Sequence, residues 1–190
     1  EPLGNQISQE NLDRIIKASK EKYDYDPGGI VPSMPVEDEK VLVKVDWNIN
    51  ENHRASVIYN YNDGFRLSQS DEGNNRLSLS NHIYESGAKL NSTVASLYSD
   101  WNDDFSTEMR LGTTKLDNRQ TSLDAASGFG EIQIDDNGAT VYLGPDDSRQ
   151  SNDLNWENLT FKIAGAYYYG DHKITGGYEF ENLEVFNLFM

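Results

Sequence analysis

Leu159-Thr160-Phe161-Lys162-Ile163-Ala164-Gly165-Ala166-Tyr167-Tyr168-Tyr169, then Gly170-Asp171-His172, then Lys173-Ile174-Thr175-Gly176-Gly177-Tyr178-Glu179-Phe180, is the stretch whose reading decides the fold. On the first arm Leu159, Phe161, Ile163, Gly165, Tyr167 and Tyr169 share one phase, and Thr160, Lys162, Ala164, Ala166 and Tyr168 the other. On the second arm Ile174, Gly176, Tyr178 and Phe180 alternate with Thr175, Gly177, Glu179 and Glu181. A period of two means β-strand, because successive side chains leave a pleated strand on opposite sides. Each arm runs about 9–11 residues, the length a tilted strand needs to cross a bilayer. Tyrosines crowd the turn end, where such a strand meets the headgroup layer.

The same unit occurs twice more upstream. Lys40 to Ile49 places Val41, Val43, Val45, Trp47 and Ile49 against Leu42, Lys44, Asp46 and Asn48. After the polar turn Asn50-Glu51-Asn52-His53, Arg54 to Tyr61 returns with Ala55, Val57, Tyr59 and Tyr61 in phase. Leu90 to Trp101 is a third strand, with Thr93, Ala95, Leu97 and Trp101 as the preferred outward set; the opposite phase, with Val94 and Tyr98, reads almost as well. Asn102-Asp103-Asp104 turns the chain into Phe105 to Leu116. The expectation is an all-β fold: a segment of an antiparallel up-and-down transmembrane β-barrel, about six long strands in three hairpins. Its short turns lie near 50–53, 102–104 and 170–172, and an aromatic belt of Trp47, Trp101, Phe105, Tyr167 and Tyr169 marks that end. The opposite end carries long loops.

Those loops are polar connections from Asn62 to about Lys89 and from Asp117 to Asn158. In the first, Arg76 to Tyr84 alternates weakly, as an extension of a strand beyond the membrane surface would. The second contains a hairpin, Gly130 to Ile134 and Ala139 to Leu143, around Asp135-Asp136-Asn137-Gly138, since Asn-Gly between β-runs is a strong turn signal. Residues 1–39 form an extracellular-loop segment ahead of the partial barrel of 40–190. Within it Ser8 to Tyr23 reads as a helix, with Leu12, Ile15, Ile16 and Tyr23 near one face, Ser8 as N-cap and Ile7 stapled onto Leu12. This helix reads as a short loop decoration rather than a partner-binding element. Pro27-Gly28-Gly29, Pro32 and Pro35 end it.

Composition sets outer limits. Lys and Arg total 16 against 32 Asp and Glu, a formal charge of -16, so phosphate backbones are repelled and nucleic acid is excluded as a partner. The absence of cysteine removes disulfides and thiolate metal sites. No apolar run approaches the ~18–20 residues of a membrane helix. A mean hydropathy of -0.72 does not argue against a membrane barrel, whose strands are polar at every second residue and whose outer loops are polar throughout.

Several stretches together carry a resemblance. They are Tyr23-Asp24-Tyr25-Asp26-Pro27-Gly28, Val43-Lys44-Val45-Asp46-Trp47-Asn48-Ile49-Asn50, Tyr98-Ser99-Asp100-Trp101 and Ser106-Thr107-Glu108-Met109-Arg110. Further on come Leu143-Gly144-Pro145-Asp146, Gly170-Asp171-His172, Gly177-Tyr178-Glu179 and Val185-Phe186-Asn187-Leu188-Phe189. In this order and spacing, from about Glu21 onward, the chain resembles TonB-dependent outer-membrane receptors of the Oar-like group. The resemblance implies a 22-stranded barrel with an N-terminal plug, transport powered through TonB, and location in the outer membrane of a Gram-negative bacterium. The sequence departs from it in showing no signal peptide, TonB box or plug, and only about six membrane-length strands. Single-chain barrels need about eight strands to close. Phe186 to Met190 read as an unfinished strand. The expectation is therefore an internal fragment, partnered by outer-membrane lipid, the rest of the barrel, the plug and, through other segments, TonB.

Candidate chemistry is sparse. Lys44, Asp46, Glu108, Arg110, Lys162 and Glu179, with Glu181, fall on the polar phase and would line a lumen, paired with one another or with the plug. His53 and His172 occupy equivalent turn positions without a suitably spaced third metal ligand, and His82 reads as a lone loop histidine. The acidic runs Asp71-Glu72, Asp103-Asp104, Asp135-Asp136 and Asp146-Asp147 lack the EF-hand spacing, and turn chemistry accounts for them. Neither a cleft-spanning carboxylate pair, nor a glycine-rich phosphate loop, nor a nucleophile elbow is legible, so no enzyme, cofactor or metal is expected. The alternative from another class is a soluble acidic β-domain binding carbohydrate or another extracellular ligand through its Tyr-, Asn- and Asp-rich loops. An acidic hydrolase is a distant third.

Overall fold

The computed structural model describes residues 7–31, 33–149 and 152–189. Pro32 and Met190, both used in the sequence reading, lie outside them. The chain order is α1 (Gln9–Tyr23), β1 (Val36–Asn48), β2 (His53–Ser68), β3 (Arg76–Ser78), a 3-10 turn (Ser80–His82), β4 (Tyr84–Asn102), β5 (Phe105–Ser122), a second 3-10 turn (Ala125–Ser127), β6 (Ile132–Asp136), β7 (Ala139–Leu143), β8 (Asp153–Tyr169) and β9 (His172–Leu188). Six long strands form one antiparallel meander, β1-β2-β4-β5-β8-β9, and three short ones a second sheet, β3-β7-β6. The large sheet is open: β1 and β9 each pair on one side, with β2 and β8 respectively.

Register follows the alternation that the sequence carries. Val45, Val57, Ala95, Leu111, Phe161 and Phe180 lie side by side across all six strands, and Asp46, Ser56, Ser96, Arg110, Lys162 and Glu179 form the next rung. Paired residues share a face and neighbours along a strand do not, so one face is apolar and the other charged. The two phases of β4 are thereby distinguished. Thr93, Ala95 and Leu97 align with Tyr59, Val57 and Ala55 on the apolar face, whereas Val94 and Tyr98 join the other.

Strand ends differ from the sequence reading. The strands run from 13 residues in β1 to 19 in β4, several longer than one bilayer crossing needs. β1 starts at Val36, ahead of position 40, and β2 continues to Ser68 instead of stopping at Tyr61. The extensions were hidden because they are too mixed to show a period of two: β1 adds Val36 ahead of three acids, and β2 adds only Phe65 and Leu67 in phase among polar residues and a glycine. Ion pairs hold them in register: Arg119 reaches Asp63 at 3.2 Å and Glu85 at 3.7 Å across the ladder. Two of the turns are also tighter than expected. Gly170-Asp171 alone joins β8 to β9, with Gly170 at φ +58°, and His172 already pairs with Tyr169. Likewise only residues 103–104 separate β4 from β5, whereas the first turn keeps its four residues but is shifted back by one, to 49–52, since β1 ends at Asn48 and His53 begins β2.

At the end opposite these turns the two long connections and the N-terminal segment build a small cap. Arg76 to Tyr84 is not a strand extension: Arg76–Ser78 runs parallel to β7 in the second sheet, and Ser80–His82 turns before β4 begins. The hairpin around Asn137-Gly138 forms as the sequence indicates, both residues at positive φ (52° and 85°), the geometry of a two-residue type I′ turn. Ser8 caps α1 by accepting from the Asn11 N–H at 3.2 Å. The helix is not a loop decoration. Leu12 and Ile15, with Ile7, pack against Leu77, Leu79, Ala139, Val141 and Leu143. That cluster is the core of the cap, and α1 supplies one wall of it.

Candidate functional site

The large sheet carries a band rather than a cleft. From Thr113 and Leu159 at one limit to Phe105 and Tyr167 at the other, the outward rungs are mostly apolar or aromatic, interrupted by Thr93, Thr113 and Asn182 at the first limit and by His53, Ser99, Thr107, Gly165 and Gly176 on the rung next to the second. Along β5 this covers Phe105 to Thr113, about nine residues, the span of a tilted strand in hydrocarbon. Beyond it the same face turns charged at once, where Lys115 pairs with Glu157 at 2.5 Å. The strands therefore outrun the band on the cap side.

The five belt residues sit toward the short-turn end. Phe105 pairs with Tyr167 in register, and the Trp101 indole N–H donates to Thr107 Oγ1 at 2.9 Å, which fixes Trp101 on the same face beside a register shift at Asp100/Asn102. The His53 ring meets Trp101 edge-on at 5.1 Å. Trp47 and Tyr169 are 62% and 71% exposed. Tyr98 and Tyr168 do not join this face. They lie on the charged side, under Arg54 and Lys173 at 5.1 and 5.3 Å.

The six charged residues form two groups on the other face. Lys44 and Asp46 pair at 2.8 Å along β1. Glu108, Arg110, Lys162 and Glu179 form a chain across β5, β8 and β9: Arg110 to Glu108 at 3.2 Å, Lys162 to Glu108 at 3.7 Å and Lys162 to Glu179 at 3.8 Å. Exposed pairs of this kind contribute at most about 1 kcal/mol each. Their position matters more than their strength, because their rung lies at mid-height of the apolar band on the reverse face.

Beneath both faces lies no core. No apolar side chain of β1, β2, β4, β5, β8 or β9 is buried, and the buried apolar side chains among the described residues fall instead in or beside the cap. Comparison with family models, curated proteins and solved structures finds no match to this chain. Geometry alone carries the functional reading.

The cap holds the groups that the sequence reading passed over. His82 is not a lone loop histidine: it is fully buried, with Nδ1 3.0 Å from the Gly144 carbonyl oxygen and Nε2 3.1 Å from Asp71 Oδ2 and 3.9 Å from Asp146 Oδ2. Two acidic runs assigned to turns, Asp71-Glu72 and Asp146-Asp147, thus converge on one imidazole. Eleven positions separate Asp71 from His82 and 64 separate His82 from Asp146, so no local spacing could reveal them. His53 and His172 stay apart, at separate turns. Burial pushes the Glu72 carboxyl above its usual range, although Glu72 accepts the Ser78 N–H at 2.8 Å. Asp26 goes the other way, held low by Lys20 at 2.8 Å and by the Gly28 N–H. The Tyr25 hydroxyl is raised by burial and by Asp124, to which it donates at 2.6 Å, while its ring stacks on Phe129 at 3.7 Å.

Proposed function

We propose that the chain is part of the barrel wall of an outer-membrane receptor of the TonB-dependent, Oar-like kind, with the cap on the extracellular side and the three tight turns in the periplasm. One observation carries this reading: an apolar face about nine residues tall, on strands long enough to cross a bilayer, that none of the described residues buries. A water-soluble β-domain would need a second layer over that face. Lipid covers it without one. The charged reverse face then lines the lumen, where charges at mid-membrane depth stay solvated or meet the plug. The open edges β1 and β9 pair with further strands of the barrel, since an unpaired edge is not tolerated in hydrocarbon. The role is mechanical rather than catalytic: the wall positions the cap and encloses a pathway, in partnership with lipid, the remaining strands, the plug and, through other segments, TonB. Nucleic acid has no place on so acidic a surface.

The test is a pair of neighbouring substitutions in the complete receptor. Ile163→Arg sets a charge in the middle of the lipid face at a cost of about 2–4 kcal/mol, and heat-modifiable, membrane-integrated receptor should be lost. Lys162→Gln, one residue away on the lumen face, should leave assembly intact. Unimpaired assembly of Ile163→Arg would remove the basis of this reading.

A further inference from the structure

We propose that Asp71, His82 and Asp146 bind one divalent first-row transition ion, which staples together the two long connections of the cap. The inference is independent of the membrane reading, because the cap has a buried core of its own.

The imidazole decides the matter. Nδ1 faces the Gly144 carbonyl at 3.0 Å, and a carbonyl oxygen can only accept, so Nδ1 carries the proton. In the neutral tautomer, the form that ligates a metal, Nε2 is then the lone pair; it is buried and faces Asp71 Oδ2 at 3.1 Å and Asp146 Oδ2 at 3.9 Å. A histidine whose far N–H is fixed by a backbone carbonyl, leaving the other nitrogen to face carboxylates, has the outer-shell arrangement of a metal-ligating histidine. Gly144 is suited to that task by its backbone. It sits at φ +81°, and a Cβ there would lie 2.3 Å from the Gly130 carbonyl oxygen.

The proton count points the same way. Ser70 Oγ touches Asp146 Oδ2 and, at 2.9 Å, Asp71 Oδ2. Its single hydrogen cannot serve both carboxylates, so the pocket calls for a positive charge at Nε2, a second ring proton or a metal ion. Asp146 is 3% exposed, so this crowding of lone pairs is largely out of water. Arg76 relieves part of it from outside, 3.7 Å from the other oxygen of Asp71. A cation among the three inward atoms relieves the rest.

Geometry and ligand type select the ion. All three ligand atoms lie within 4.8 Å of one another. Ligands about 2.1 Å from a tetrahedral ion stand about 3.4 Å apart, between the 3.1 and 3.9 Å found for the two His82 contacts. One imidazole with two carboxylates favours Zn²⁺, Mn²⁺ or Co²⁺ over Ca²⁺, which takes an all-oxygen shell. The ion would join Asp71 and His82, from the β2–β4 connection, to Asp146, from the β5–β8 connection.

Calorimetric titration of the full chain in detergent with Zn²⁺ tests this, with Ca²⁺ as the comparison ion. The expected result is one Zn²⁺ per chain, bound at least a hundredfold more weakly by Asp146→Asn and by His82→Gln, with Ca²⁺ binding much weaker than Zn²⁺. As either substitution disturbs buried groups, a second measurement keeps all three ligands. In the His53→Gln/His172→Gln chain His82 is the sole imidazole, and Zn²⁺ should shift its Nε2 ¹⁵N resonance while leaving Nδ1 protonated. Absence of Zn²⁺ binding, binding that both single variants retain, tighter binding of Ca²⁺, or an unmoved Nε2 resonance would each overturn the proposal.

Discussion

The cap and the six-stranded sheet belong to one chain and follow opposite rules. In the cap, apolar residues from three distant segments meet and are removed from water: Leu12 and Ile15 from α1, Leu77 and Leu79 from the first connection, Val141 and Leu143 from the second. In the sheet, an apolar band lies along one face and none of its side chains is buried. The cap uses side-chain burial to fix its shape, as any water-soluble unit does. The sheet is held by its continuous hydrogen-bonded ladder, and its apolar band stays uncovered among the described residues. The difference teaches that burial organises the cap and not the sheet; under the proposed function the two face different solvents, with the boundary where the outward face turns charged at Lys115 and Glu157.

The comparison can be broken or sharpened at several points. The largest effect is expected from Leu79→Ala, which empties a fully buried site in the cap and should cost the cap about 2–5 kcal/mol. It should show as lost protection of cap amides in hydrogen exchange, with the strands of the sheet unchanged. Gly28→Ala comes next. Gly28 sits at φ +76° with Ser80 Oγ 1.8 Å from the place its Cβ would occupy, so the cap should lose about 1–3 kcal/mol, read by the same exchange experiment. Ser8→Ala removes the N-cap of α1 at a cost of about 1 kcal/mol, seen as fraying of the first helical turn. The smallest effect concerns pH. The Asp26 carboxyl is held below its unfolded value, so its pairing with Lys20 stabilises the cap above that value and the contribution disappears as pH falls through the lowered one. Both groups are largely exposed, and the change should be slight. Asp26→Asn should flatten it in an acid titration of cap stability.

How much of this was legible in the sequence follows from the same contrast. The closing hairpin, its two counterparts and the phase of most of their strands could be read because one face is more apolar than the other; in β4, where Val94 and Tyr98 rival Ala95 and Leu97, only the pairing with β2 decides it. The outer halves of β2 and β4 could not, since in Asn62 to Ser68 and Tyr84 to Lys89 only Phe65 and Leu67 repeat an apolar residue in one phase among glycines, charges and amides, and the cross-strand ladder with pairs such as Arg119–Asp63 defines them. The helix and its Ser8 cap were written locally, but its burial was not. Nothing near Leu12 announces that Leu77 and Val141 will meet it. The same limit applied to His82: its partners lie on two connections whose acids resemble ordinary turn residues, and folding alone brings them together. The signal that could have found them was the pairing of two acidic runs with a histidine in loops at the same end of the sheet.

The most direct measurement places single cysteines at adjacent positions on opposite faces, in a chain that has no cysteine of its own. Val45→Cys and Asp46→Cys lie on neighbouring rungs at mid-height of the band. In the assembled receptor in its membrane, a wall segment predicts that Cys at 45 resists a water-soluble maleimide and that a probe attached there is quenched from within the lipid. Cys at 46 should react from the aqueous lumen and escape that quencher. Equal aqueous reactivity at both positions, or quenching from lipid at 46 rather than 45, would contradict it.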